Sequence, residues 1–176
     1  MSTLHKIVII GPESTGKSTL CTQLAAHYGT VWCPEYARTY LEVNGMDYDA
    51  DDLLRIAQGQ LALEDFVAYE AKPPYYFVDT DMYVMKVWYE VVFGYCPPWI
   101  LKQCAAQHTD LYLLCATDLP WVADGLREYP DLEARRRLFQ MYKDILVNDG
   151  RPWALVSGTE EERLQSAIAA IDAQFK

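Results

Sequence analysis

The eight residues GPESTGKS at positions 11–18 match the pattern G-x-x-x-x-G-K-[ST]. They stand directly behind an apolar run, residues 6–10, and ahead of residues 18–28, which read as a helix. In that strand–turn–helix context the pattern is a phosphate cradle. Gly11 and Gly16 let the backbone curl until successive N–H groups converge on the phosphates. The Lys17 ammonium is expected at the β- and γ-phosphates, and the Ser18 hydroxyl at Mg²⁺. Gly11, Glu13, Ser14, Thr15, Gly16, Lys17, Ser18 and Thr19 are therefore the expected contacts to ATP. The alternative is a glycine-rich turn that binds nothing, and the strand and helix on either side argue against it.

A cradle alone does not name a reaction. Switches that read guanine need an N-K-x-D element after a later strand, and this sequence has none. Motor and helicase cores are generally much larger than 176 residues. A compact chain with a polar segment after its fourth strand suits a small-molecule kinase, whose acceptor sits beyond the carboxyl ends of the strands. Carboxylates follow the strands in Pro34-Glu35-Tyr36-Ala37-Arg38, in Asp79-Thr80-Asp81, and in the stretch from Asp118 through Asp124 and Gly125 to Arg127. Taken singly, each acid reads more simply as a helix cap or a solvated loop residue. Taken together, around one phosphate site with Mg²⁺ and an attacking hydroxyl to place, they read as functional.

GPESTGKS, PEYAR, the AQGQ of residues 57–60, FVDTD and DLPWVADGLRE together resemble the ribosylnicotinamide kinase domain of the bifunctional NadR-type NAD-biosynthesis proteins. The resemblance covers nearly the whole chain. It implies a thymidylate-kinase-like P-loop kinase that moves the γ-phosphate of ATP to the 5′-hydroxyl of nicotinamide riboside, giving nicotinamide mononucleotide. The bifunctional proteins carry an adenylyltransferase domain upstream. Residues 1–176 are expected to be a single kinase domain with a lid at about 118–130 and no adenylyltransferase domain.

Phosphoryl transfer is mostly positioning and charge neutralisation. Lys17 and Arg127 are the expected catalytic cations, Arg127 arriving with the lid, and Glu35 the acid that orients or deprotonates the acceptor. Asp79 is expected to reach Mg²⁺ through water, and Asp81 to grip the ribose hydroxyls. Asp124 either binds ribose or fixes the lid turn with Gly125. Tyr36, Phe66, Trp88 and Trp99 are candidates to stack on the base, each also readable as core. Ser157 and Thr159 are placed on the adenine side. Arg135, Arg136 and Arg137 offer a second cation, although such a run is more often a solvated helix face. A monophosphate acceptor would need its own cations, and Arg38 is the one obvious candidate near Glu35. The remaining rivals are a kinase for another nucleoside and a regulatory ATP-binding module that transfers nothing.

These side chains need a scaffold. Short apolar runs at 6–10, 30–33, 75–79, 110–115 and 153–156 alternate with helical patterns. That order predicts an α/β P-loop fold: a five-stranded parallel sheet with helices on both faces. Asp49 or Asp51 is set to cap a helix with a stripe of Leu53, Ile56, Leu63 and Val67, while Asn148-Asp149-Gly150 ends another. Hydrophobic residues make up 51% of the chain, enough for a full core. The formal net charge of −10 leaves no basic field for nucleic acid or an anionic membrane. Five cysteines lack metal-ligand spacing and most of them read as buried hydrophobes, and the short apolar run at the start reads as a strand rather than a signal peptide. A cytoplasmic protein is expected.

Overall fold

The computed structural model of the chain describes residues 3–176. Its strands β1 (His5–Ile10), β2 (Trp32–Cys33), β3 (Tyr75–Asp79), β4 (Leu111–Cys115) and β5 (Trp153–Val156) form one parallel sheet in the order β2-β3-β1-β4-β5. Every expected strand is present, though β2 is reduced to its last pair of residues. The unbroken apolar run of β1 follows from burial on both faces, since successive side chains point to opposite sides. Ile7 and Ile9 pack with Phe77, Leu111 and Leu113 on one face, and Val8 and Ile10 with Val78, Tyr112 and Leu114 on the other.

The first face is covered by α1 (Lys17–Tyr28) and α7 (Glu160–Phe175). The second is covered by α2 (Tyr36–Asn44), α3 (Ala50–Glu70), α4 (Met82–Phe93), α5 (Pro98–Ala106) and α6 (Leu132–Asp149). Asp49, rather than Asp51, caps α3, in a reciprocal box with Asp52. Gly150 ends α6 in the left-handed conformation, and Thr159 caps α7 in a box with Glu162. Helix α4 gives no stripe in the sequence because it is apolar almost all round, with six of its residues buried.

Strand β1 lies between β3 and β4, so the chain crosses from one side of it to the other. Ligands of such sheets bind at the carboxyl ends beside that crossing. The phosphate loop, Glu35 and Asp79 all emerge there. Residues 116–131, between β4 and α6, contain no helix or strand. No helix among the described residues is long and apolar enough to cross a membrane, and all five cysteines are free thiols.

Candidate active site

Helix α1 begins without a side-chain cap. Its N-cap is Gly16, left-handed at φ 79° and without a side chain to cap the amides of the first turn. Such an end attracts phosphate. Thr15 is buried and its hydroxyl donates to the Pro12 carbonyl at 2.7 Å, which locks the curl of the loop. The Lys17 Nζ donates to the same carbonyl at 2.9 Å and spans the mouth of the cradle. Arg163, buried on α7, gathers the carbonyls of Thr15 (3.1 Å) and Ala116 (3.1 Å) together with the Asp118 carboxylate. One guanidinium thus joins the phosphate loop to the end of β4 and the root of the lid.

Ser18 Oγ donates to Asp79 Oδ2, while Asp79 Oδ1 is buried with no hydrogen-bond partner. An orphaned carboxylate oxygen beside a hydroxyl, next to the phosphate loop, is a hard-oxygen pair of the kind Mg²⁺ uses. That ion takes most of its remaining ligands from phosphates and water, so these residues fit it, and Ser18 and Asp79 are the side chains that would hold it. Among the described residues no cluster of three or more His, Cys, Asp or Glu side chains that could hold a metal ion exists.

Glu35 is the N-cap residue of α2, yet its side chain makes no cap bond. The buried Gln60 of α3 takes over that role, its Oε1 accepting the Tyr36 N–H at 2.8 Å. One position earlier, Gly59 admits the Tyr36 ring, for a Cβ there would lie 2.1 Å from Tyr36 Cε1. The AQGQ segment therefore fixes the start of α2 and leaves the Glu35 carboxylate free to line the cleft. Burial raises the pKa of Glu35, and the neighbouring Asp79 charge raises it further, against the pull of Lys17 and Arg38. Burial likewise raises that of Asp79, opposed by Lys17 and the Ser18 hydroxyl.

The lid segment is shut onto the loop. The Glu13 carboxylate accepts the N–H of Glu128 at 3.0 Å, the N–H of Tyr129, and the Trp121 indole N–H at 3.2 Å. Ser14 Oγ accepts the Val122 N–H at 2.9 Å and lies 3.4 Å from an Arg127 nitrogen. Asp124 ties the two arginines of the cleft, with Arg38 at 2.9 Å and Arg127 Nε at 3.1 Å. Burial works against ionisation of Asp124, but hydrogen bonds from Arg38 and the Leu126 N–H outweigh it and lower its pKa. A cleft opens under this lid. Loop, Glu35, Arg38, Trp88, Arg127 and Tyr129 border it together.

Several sequence expectations are corrected. Asp81 is 1% exposed and faces away from the cleft, capping α4 through the Tyr83 N–H (2.9 Å) and accepting the Tyr112 hydroxyl (2.7 Å). Phe66 lies 62% exposed on the outside of α3, the Tyr36 ring rests on Gly59, and Trp99 packs against the core, so none of them borders the cleft. Asp124 serves the lid turn and its arginines; it does not line the cleft as a ribose ligand would. Thr159 is committed to its helix cap and Ser157 does not border the cleft; the loop is flanked on that side by Gln23, Leu119 and Glu160. Arg135 is buried against the Leu119 carbonyl, whereas Arg136 pairs with Glu133 in solvent and Arg137 is exposed. Sequence reasoning missed the roles of Glu13, Gln60, Glu128 and Arg163. Gln60 lies in the quoted AQGQ segment, Glu13 in the phosphate loop and Glu128 in DLPWVADGLRE, while Arg163 lies in no quoted motif.

An uncapped helix start behind a central parallel strand, roofed by a strap that brings an arginine, is the plan of the P-loop kinase fold, and the chain has that fold. A family model described as an AAA domain matches residues 6–163, and the chain belongs to that family. It is 35% identical over 148 residues to the trifunctional NAD biosynthesis/regulator protein NadR of Salmonella typhimurium, covering 81% of this chain and 36% of that protein. The chain spans 36 to 40% of the length of the curated relatives it matches. Solved structures of NadR in complex with NR and with NAD and AMP-PNP superpose at TM-scores of 0.76 and 0.77, with 23% and 24% identity. They match 98% of this chain and 51% and 49% of theirs. Thymidylate kinase from Ehrlichia chaffeensis shares the fold at a TM-score of 0.65 and 12% identity, over 97% of this chain and 98% of that one.

Proposed function

We propose that the chain is an ATP-dependent nicotinamide riboside kinase that makes nicotinamide mononucleotide. The observation that carries this is a single cleft on which the phosphate loop and Glu35, free of its helix cap, both open, with an aromatic wall at Trp88 and an arginine-bearing lid above. NadR relatives are NAD-biosynthesis proteins, and a structural neighbour was captured with NR, nicotinamide riboside, which supports the choice of acceptor.

The phosphates of ATP lie on the loop amides and Lys17. Ser18 and Asp79 would hold Mg²⁺, which would supply positive charge to offset that of the phosphates. Arg127 swings with the lid to the transferring group. Glu35 receives the proton of the 5′-hydroxyl while the O5′–Pγ bond forms and the bond from Pγ to the ADP oxygen breaks. Its raised pKa suits a general base, because a stronger base takes the proton more readily. Arg38, the cation a monophosphate acceptor would need, is already engaged by Asp124, which favours an uncharged 5′ end. We place the reaction in the cytoplasm, where ATP is abundant and free thiols persist. We read the described chain as one kinase domain.

The test is ADP release from purified protein over nicotinamide riboside, uridine, cytidine, thymidine and the nucleoside monophosphates. The expected kcat/KM for nicotinamide riboside exceeds every other by at least about tenfold, or roughly 1.4 kcal/mol. A better pyrimidine or monophosphate acceptor would replace this substrate and leave the kinase class standing. Tight ATP binding with no acceptor-dependent ADP would overturn the enzyme reading.

A further inference from the structure

Glu13, Glu35 and Glu128 all line the cleft, and they differ in company. Glu13 is met by lid N–H groups. Glu35 lies in the field of Lys17 and Arg38. Glu128 has neither. Among the described residues its carboxylate hydrogen-bonds one group, the Tyr48 hydroxyl, at 3.3 and 3.1 Å from its two oxygens, and no basic side chain is paired with it. Glu128 is exposed to solvent, and the desolvation it does undergo together with the Glu13 charge raises its pKa against the pull of the Tyr48 hydroxyl, with no cation paired to it among the described residues.

The same Tyr48 hydroxyl accepts the Trp88 indole N–H at 2.9 Å, and the Tyr48 and Trp88 rings meet edge to face with centroids 5.2 Å apart at 81°. Trp88 borders the cleft beside Glu128. One hydroxyl therefore holds an unneutralised carboxylate at the rim of an aromatic wall. A flat cation satisfies both at once, its charge attracted by the ring face and by the acid. A neutral ring of the same shape satisfies only the wall, and it covers the carboxylate without giving it a partner.

We propose that Glu128, seated through Tyr48 at the edge of Trp88, is the specificity-determining residue that selects a permanently cationic base in the acceptor. This rests on reading the cleft as a nicotinamide riboside site. Because Glu128 travels with the lid, discrimination is expressed when the lid shuts, in the same movement that delivers Arg127.

The experiment compares the wild-type chain with Glu128→Gln, Glu128→Asp and Tyr48→Phe. The probes are nicotinamide riboside, whose ring is cationic, and its 1,4-dihydro form, whose ring is neutral. ADP release gives kcat/KM, calorimetric titration gives binding without turnover, and thermal melts confirm folding. The wild type is expected to favour the cation at least about tenfold, and Glu128→Gln to erase that preference by losing about tenfold on the cation alone. KM for ATP should hold within about twofold, Glu128→Asp should recover part of the preference, and Tyr48→Phe should lose part of it. Equal losses on both ribosides in folded Glu128→Gln would overturn the proposal and leave the kinase reading intact. Glu128-dependent preference for the cation in titration, with no turnover of either riboside, would uphold the seat and overturn the kinase reading. Absence of any cation preference in the wild type, in both assays, would overturn the seat outright.

Discussion

Glu13→Ala should open the lid. Its carboxylate receives two consecutive lid amides and the Trp121 indole, three donors in all. Hydrogen bonds to a charged acceptor are worth about 1.5–3 kcal/mol each when buried. Because the Glu128 contact is solvent-exposed and the others only partly buried, about 1 kcal/mol apiece is the fitting figure. Loss of all three then shifts the lid equilibrium by about 3 kcal/mol, roughly a hundredfold toward open. Glu13→Gln keeps one acceptor oxygen without charge, so at most two of the bonds survive at roughly half strength, and it should shift the equilibrium by about 2 kcal/mol, or about thirtyfold. Hydrogen exchange of the Glu128 and Tyr129 amides in nucleotide-free protein reads this directly, because local opening sets their protection. Unchanged protection of both amides in folded Glu13→Ala would refute the latch.

Lys17→Ala should nearly abolish turnover, at a cost of about 3–4 kcal/mol in the barrier, while the melting temperature holds; near wild-type kinetics would remove Lys17 from the chemistry. Glu35→Gln should lower kcat by about 10²–10⁴-fold with ATP affinity unchanged. The raised pKa of Glu35 means that kcat/KM climbs with pH to a limb above the ordinary carboxylate range. It also means that the folded state binds the extra proton, so this residue lowers stability as pH rises through that range, and Glu35→Gln should melt higher at neutral pH. A lower melting point would contradict the burial argument. Arg127→Ala should depress kcat more than it raises the KM for ATP, and a pure KM effect would place Arg127 in ground-state binding. Asp81→Ala should cost about 2–4 kcal/mol of stability, by stripping a helix cap and leaving the buried Tyr112 O–H without its acceptor, with acceptor KM unchanged; a KM rise without destabilisation would return Asp81 to the substrate.

The strands and the phosphate loop were legible because their signals are local. A buried parallel strand is a run of Ile and Val, and a phosphate cradle needs its glycines, lysine and hydroxyl at fixed offsets. The lid was legible as a long polar interval between a strand and a helix. Orientation past a strand end was not. Asp79 and Asp81 are two apart and would share a face in an extended chain, so the sequence points both at the site. Thr80, left-handed at φ 71°, breaks that period; Asp79 meets Ser18 while Asp81 turns to Tyr112. Long-range pairs were equally hidden. Nothing at Glu13 or Glu128 announces that they meet across 115 positions. Arg163 sits in an ordinary helical pattern, and only the folded chain brings Thr15, Ala116 and Asp118 to it.

The division of labour between Glu35 and Gln60 has an evolutionary consequence. In many helices the N-cap side chain is conscripted to hold its own first turn, so its chemistry cannot change without loosening the fold. Here a buried amide on α3 holds the first turn of α2. Position 35 is thereby released from architecture and can be exchanged among acids, amides or imidazole at small cost to folding. Catalysis at the acceptor side can drift, or be redesigned, while the scaffold that aims it stays still.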